Sequence, residues 1–219
     1  MSLRKTLFTL GEYYHIYNRG NSKQKIFLDK EDYNHFIQLL FLCNTNENIN
    51  FRDIFITFDN IYDFKRGNTL VDIGAYCLMP NHFHLLIYEK SNSNISLYMK
   101  KLLTAYVMYF NKKYERTGSL FEGKFKSQHS DSDGYLKYLF SYINLNPIKL
   151  IQRDWKKTGV KNKIQAYNFA INYKYSSFNF LRSKNEIEVH KIINIKHFPE
   201  YFLNFRDYKE EIFEWLSFS

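Results

Sequence analysis

VDIGAYCLMPNHFHLLIYEK, residues 71–90, decides the fold. Two runs rich in aliphatic and aromatic residues flank the turn dipeptide Pro80-Asn81, so the stretch predicts a β-hairpin. Its second arm carries His82 and His84, two residues apart. Alternate residues of a strand share a face, so these imidazoles stand side by side, roughly 6.5–7 Å apart along the chain. Two neutral imidazoles so placed can grip one metal ion, which adjacent residues could not. Phe83 between them points the other way, into a core. The same pair also suits two half-exposed histidines hydrogen-bonded to neighbours, so its chemistry depends on what else faces it.

Working outward, EYYHIYNRG (12–20) predicts a strand ending in a turn at Arg19-Gly20-Asn21. LDKEDYNHFIQLLFLCN (28–44) predicts a helix with Asp29 as N-cap and an apolar stripe of Phe36, Ile37, Leu40 and Phe41. Residues 45–70 are polar at both ends and read as an insertion without an assigned element. NISLYMKKLLTAYVMYFNKKYE (94–115) carries Met99, Leu102, Leu103, Tyr106, Phe110 and Tyr114 at the helical period. A short strand is expected around KFKSQ (124–128), then a helix capped by Asp131 or Asp133 that stops at Pro147. This order predicts an α+β layer structure, an antiparallel sheet with helices packed on one face. Residues 1–150 are expected to form the catalytic domain, with 45–70 as its insertion and 151–219 as a C-terminal extension.

At 219 residues the chain fits one domain with extensions, since domains run to roughly 100–200 residues. A formal charge of +9 points to an anionic partner. The positive charge is concentrated: residues 97–149 hold nine Lys/Arg against four Asp/Glu, whereas residues 199–219 carry five acids against two bases. Lys100, Lys101, Lys112 and Lys113 lie off the apolar stripe. Arg116, Lys124 and Lys126 surround glycines that permit close backbone approach, and with Arg19 these cations are candidate phosphate contacts. Two cysteines are too few for a disulfide framework, so a reducing cytoplasm is expected, with the nucleoid as the place for a DNA partner. The N-terminus does not read as a signal peptide, and no run approaches the ~18–20 apolar residues of a membrane span.

Further partners for the histidines come from YLFSYINLNPIK (138–149), where Tyr142 and Asn146 are neighbours on one helix face. If that face lies over the histidine strand, Asn146 offers a carbonyl oxygen as a third ligand and Tyr142 a free hydroxyl. Taken alone, these residues favour the plainer reading, Tyr142 packed with Tyr135, Tyr138 and Leu139 as core and Asn146 as a C-cap before a proline. A tyrosine is a poor nucleophile at neutral pH unless activated. A divalent cation can polarise a phosphate for it, and imidazole with amide oxygen suits Mn²⁺ or Mg²⁺. A phosphotyrosine conserves the energy of the broken phosphodiester, so strands can be rejoined without ATP.

YHIYNRGNSKQKIF (14–27), CLMPNHFHLLI (77–87), AYVMYFNKKYERTGSLFEGKFKS (105–127) and YINLNPIK (142–149), in this order, resemble the single-tyrosine HUH transposases of insertion sequences. The likeness is to the REP-associated tyrosine transposase branch; YKYSSF (173–178) looks like a further family element. The resemblance implies a ferredoxin-like core, usually a homodimer, that cuts single-stranded DNA at hairpin-flanked sites through a 5′-phosphotyrosine with Mg²⁺ or Mn²⁺. It makes His82 and His84 metal ligands, Asn146 the third ligand and Tyr142 the nucleophile, with Tyr106 as rival. A domesticated enzyme that nicks and rejoins REP elements, and a non-catalytic nucleic-acid-binding protein, are the alternatives.

Overall fold

The computed structural model describes residues 7–180, 187–201 and 205–216. The N-terminal leader question bears partly on residues 1–6, and the far C-terminal tail partly on 217–219, both outside the described residues. In chain order the elements are β1 (Tyr13–Arg19), α1 (Lys30–Leu42), α2 (Phe51–Thr57), β2 (Val71–Met79), β3 (His82–Glu89), α3 (Asn94–Lys113), β4 (Lys126–His129), α4 (Asp133–Leu145), α5 (Trp155–Thr158), α6 (Lys163–Ile171), α7 (Ile187–Ile192) and α8 (Phe205–Trp215). The four strands form one sheet in the order β2-β3-β1-β4, with every neighbouring pair antiparallel. This is the ferredoxin-like arrangement.

Helices cover both faces. Phe83, Leu85 and Ile87 of β3, with Tyr14 and Ile16 of β1, pack under α1 and α3. The alternate residue Leu86 packs with Cys77, Met79 and α4 residues Leu136, Leu139, Phe140 and Ile143 on the other face. The helices expected together on one face are divided, with α1 and α3 on one side of the sheet and α4 on the other. The physical reason lies in β2, where all nine residues are buried, as a strand covered on both sides requires.

A β-bulge makes this possible. The β2–β3 register shifts between Ile73, opposite Ile87, and Ala75, opposite Leu86. The extra residue, Gly74, moves the following side chains to the α4 face. A Cβ on Gly74 would lie 2.7 Å from the Phe198 ring, so glycine is needed for this close approach.

Local signals explain the element ends. Asp29 caps α1 reciprocally with Asp32. The cap of α4 is Ser132, whose hydroxyl accepts from the Tyr135 amide at 3.4 Å, in place of the expected Asp131 or Asp133. At Pro147 the chain tightens into a 3₁₀ turn, Asn146–Leu150, rather than leaving the helix axis abruptly. Residues 45–70 hold α2 and a 3₁₀ turn, and contribute Ile54, Ile61 and Tyr62 to the core.

The C-terminal extension packs against this frame. Leu145, Ile148, Trp155, Ala166, Phe178 and Tyr208 belong to a second apolar cluster around the end of α4. YKYSSF runs along the outer edge of β2: the Leu78 amide donates to Tyr175 O at 2.8 Å and the Ser177 amide to Tyr76 O at 2.9 Å. An edge strand's exposed backbone groups are thus satisfied within the chain. No helix among the described residues is long and apolar enough to cross a membrane.

Candidate active site

The β1–β3 register places Tyr17 of β1 opposite His84, and Arg19 opposite His82. On the outer sides, Cys77 of β2 lies opposite His84 and Lys126 of β4 opposite Tyr17. A row Lys126–Tyr17–His84–Cys77 thus crosses all four strands on the face covered by α4.

Each histidine is held through one nitrogen. His82 Nδ1 bonds Asn81 Oδ1 at 2.6 Å, and His84 Nδ1 pairs with His15 Nε2 at 2.8 Å. His15 was not among the sequence candidates; its only signal was its position in the same strand block, two residues before Tyr17. Burial, helped by the Lys149 and Arg19 charges, lowers the His82 pKa to about 4. Burial and the Lys156 charge lower His15 to about 4. His84 is pushed well below the usual imidazole range, by burial first and then by its histidine and lysine neighbours. All three rings are therefore neutral at pH 7, the state in which an imidazole nitrogen offers a lone pair.

Helix α4 brings Tyr142 to these rings. It stands edge-on to His84 at 5.6 Å and to His15 at 5.7 Å between ring centroids. Burial raises its pKa, with Tyr138 adding to the effect and hydrogen bonding from Asn146 opposing it. Buried Asn146 donates from Nδ2 to Tyr142 O at 2.9 Å, while its Oδ1 accepts from Lys149 Nζ at 2.9 Å. The oxygen expected as a third ligand is thus engaged by an ammonium. Among the described residues no group of three or more His, Cys, Asp or Glu could hold a metal ion. His82 and His84 are thus the imidazoles available at this place, with the nearby amide oxygen of Asn146 already bonded to Lys149.

Tyr106 lies elsewhere. It is fully buried under the opposite face, donates its hydroxyl to Ile26 O, and burial drives its pKa far up. The α3 lysines share that side of the sheet. Lys101 Nζ donates to the carbonyls of Thr45 and Glu47, and Lys113 pairs with Asp29, Glu31 and Asp32. Lys100 lines a groove with His35, Phe55 and Tyr109, and Lys112 is exposed in the last turn of the helix. Of the remaining cations, Arg19 bonds Glu122 at 2.8 Å and Arg116 bonds Gln24 at 3.3 Å, while Lys124 and Lys126 are exposed beside β4. The structure brings Arg19 and Lys126 to the histidine face and leaves the α3 lysines off it.

The family model for IS200-like transposases matches residues 11–146. The chain belongs to this family. As an IS200-like transposase it is a DNA-cleaving and strand-transferring enzyme. Among solved structures it is similar to a REP-associated tyrosine transposase bound to a REP hairpin, at 13% identity and TM-score 0.46, over 83% of this chain and 85% of that one. No curated protein matches the chain. Within the transposase, the match ends at Asn146, short of Lys149 and Lys156, which nonetheless reach the tyrosine. Lys156 Nζ lies 3.6 Å from the Tyr142 ring centroid and Lys149 Nζ 5.7 Å from it. Neither was a sequence candidate: Lys149 sat inside a quoted motif without a role, and nothing local distinguishes Lys156.

Proposed function

We propose that this transposase cuts single-stranded DNA beside hairpins by attack of Tyr142 on a phosphodiester at the His82–His84 pair. The observation that carries this reading is the edge-on approach of Tyr142 to the neutral His84 and His15 rings. His82 and His84 would hold a divalent cation, Mg²⁺ or Mn²⁺, through their remaining nitrogens, with Asn146 Oδ1, bonded to Lys149 in this structure, as the candidate third donor. When bound, that cation supplies Lewis-acid polarisation of the phosphate.

The Tyr142 hydroxyl oxygen forms a bond to phosphorus as the bond from phosphorus to the 3′ oxygen breaks. The tyrosine proton passes to solvent and the 3′ oxygen gains a proton. A 5′-phosphotyrosine and a free 3′-OH result, and reversal onto another 3′-OH transfers the strand. Exposed Lys126 and Lys124 contact the backbone of the DNA, with Arg19 beside them. The hairpin preference and a homodimeric working form rest on the likeness of the motif blocks to REP-associated enzymes, and sedimentation of the pure protein tests the dimer.

The decisive experiment incubates the protein with labelled hairpin-bearing oligonucleotides and Mn²⁺, and reads a covalent adduct after denaturing electrophoresis. The expected adduct disappears with EDTA and in Tyr142→Phe. Salt-sensitive binding to many such hairpins without any adduct would leave a binding protein in place of a nuclease.

A further inference from the structure

We propose that Lys149 and Lys156 form an anion site for the non-bridging oxygens of the phosphodiester attacked by Tyr142, completing the active site from outside the family-matched segment. The inference rests on Tyr142 being the nucleophile.

Both lysines reach the tyrosine from the start of the C-terminal extension. Lys149 belongs to the 3₁₀ turn that follows α4, and Lys156 to the short helix α5. Their backbones are anchored, because Ile148 and Trp155 are each buried in the second apolar cluster. The Lys156 ammonium sits over the Tyr142 ring at 3.6 Å and lies 5.5 Å from the Trp155 ring. Aromatic faces attract a cation and hold it in place, but they do not neutralise it.

The charges are uncompensated. Among the described residues neither ammonium has a carboxylate within ion-pair distance, whereas Lys90, Lys113 and Lys137 each have one or more. An ammonium carries three donor hydrogens. Lys149 spends one on Asn146 Oδ1, and Lys156 lies against the Tyr142 and Trp155 rings. Like charges held together without a counter-ion favour the arrival of an anion. The phosphate presented to Tyr142 is that anion, and its charge is spread over non-bridging oxygens during transfer.

Two measurements test this. In the first, wild-type protein is acetylated with and without inorganic phosphate, and each lysine is followed by mass spectrometry. Phosphate is expected to protect Lys149 and Lys156 severalfold more than the adjacent Lys157; equal reactivity of all three with and without phosphate overturns the site. In the second, adduct formation on a hairpin oligonucleotide is timed for Lys149→Gln, Lys156→Gln, Lys156→Arg and the control Lys157→Gln. Loss of one preorganised charge donor is expected to slow the reaction by about a hundredfold. Lys156→Arg should recover part of the rate, and Lys157→Gln should match wild type. Wild-type rates in both glutamine variants overturn the proposal while leaving the tyrosine chemistry intact. Phosphate protection in a protein that forms no adduct does the reverse, keeping the anion site and removing the reading it served.

Discussion

His15 Nε2 lies 2.8 Å from His84 Nδ1, a bond between neighbouring strands of one sheet. With Nδ1 of His84 committed to this partner, Nε2 is the nitrogen left for another ligand. Outer contacts of this kind fix the tautomer and ring orientation of a metal-binding histidine. If His84 binds the cation as proposed, His15 positions its ring, and His15→Phe is expected to weaken Mn²⁺ binding by about 10–100-fold. Isothermal titration with Mn²⁺ measures this directly. Equal affinities in variant and wild type would leave His15 a packing residue.

The cations on the two sides of the sheet should behave differently with DNA. Lys126 is exposed on the histidine face, so Lys126→Gln should reduce the salt-dependence slope of DNA binding by about 1. Lys113 is held by three carboxylates behind the sheet, and Lys113→Gln should leave the slope unchanged. Fluorescence anisotropy across a salt series checks both.

Asp32 explains why Lys113 is committed. Its fully buried carboxylate accepts from the Leu28 amide at 2.7 Å, Tyr114 Oη at 2.9 Å, and Tyr109 Oη and Lys113 Nζ at 3.1 Å each. Asp32→Ala strands these donors and should cost about 3 kcal/mol, the lower end for a broken buried pair because Lys113 keeps two other partners. Urea unfolding reads the loss. Adduct formation per folded molecule should not change, since the network is remote from Tyr142.

A pH dependence follows from His35, stacked on Tyr109 at 3.8 Å. Burial, with some help from the Lys113 charge and against the pull of Asp32, lowers its folded pKa to about 4. The unfolded chain, with an ordinary value of about 6.5, binds this proton first as pH falls. Stability from this group is complete above about pH 6.5 and is lost on the way down to about 4, at no more than about 1.4 kcal/mol per pH unit. Urea midpoints of wild type and His35→Phe at pH 7 and pH 5 should therefore diverge, with the variant losing less. Parallel midpoints would show that His35 does not titrate in this window.

Gly74 is the hinge of the register. Gly74→Ala sets a methyl 2.7 Å from the Phe198 ring and should destabilise by about 1–3 kcal/mol through overpacking. Thermal unfolding compared with a Gly134→Ala control, where nothing lies within 4 Å, separates the clash from a general effect of losing glycine.

What could be read from the residues was what local chemistry dictates. The Pro80-Asn81 hairpin, the Asp29 cap and the α3 stripe are set by neighbours in the chain, and each stands where the pattern put it. Tyr142 and Asn146 were legible as a spaced pair, and their placement by the His82–His84 strand depended on α4 covering that face. His15, Lys149 and Lys156 carried no local mark, because their roles exist only once β1, β3 and the chain beyond α4 come together. The α3 lysines illustrate the converse. Composition showed their charge, but only the fold reveals that Lys101 and Lys113 spend it on carbonyls and carboxylates.

The segment Tyr175–Ser177 occupies the outer side of β2, so that margin of the sheet is closed to strand addition. On the other margin, β4 is four residues long and carries no bridge on its outer side among the described residues. Any assembly that continues this sheet from one molecule into the next must therefore grow from β4. Such growth would bring Lys126 of one molecule to the seam with its neighbour.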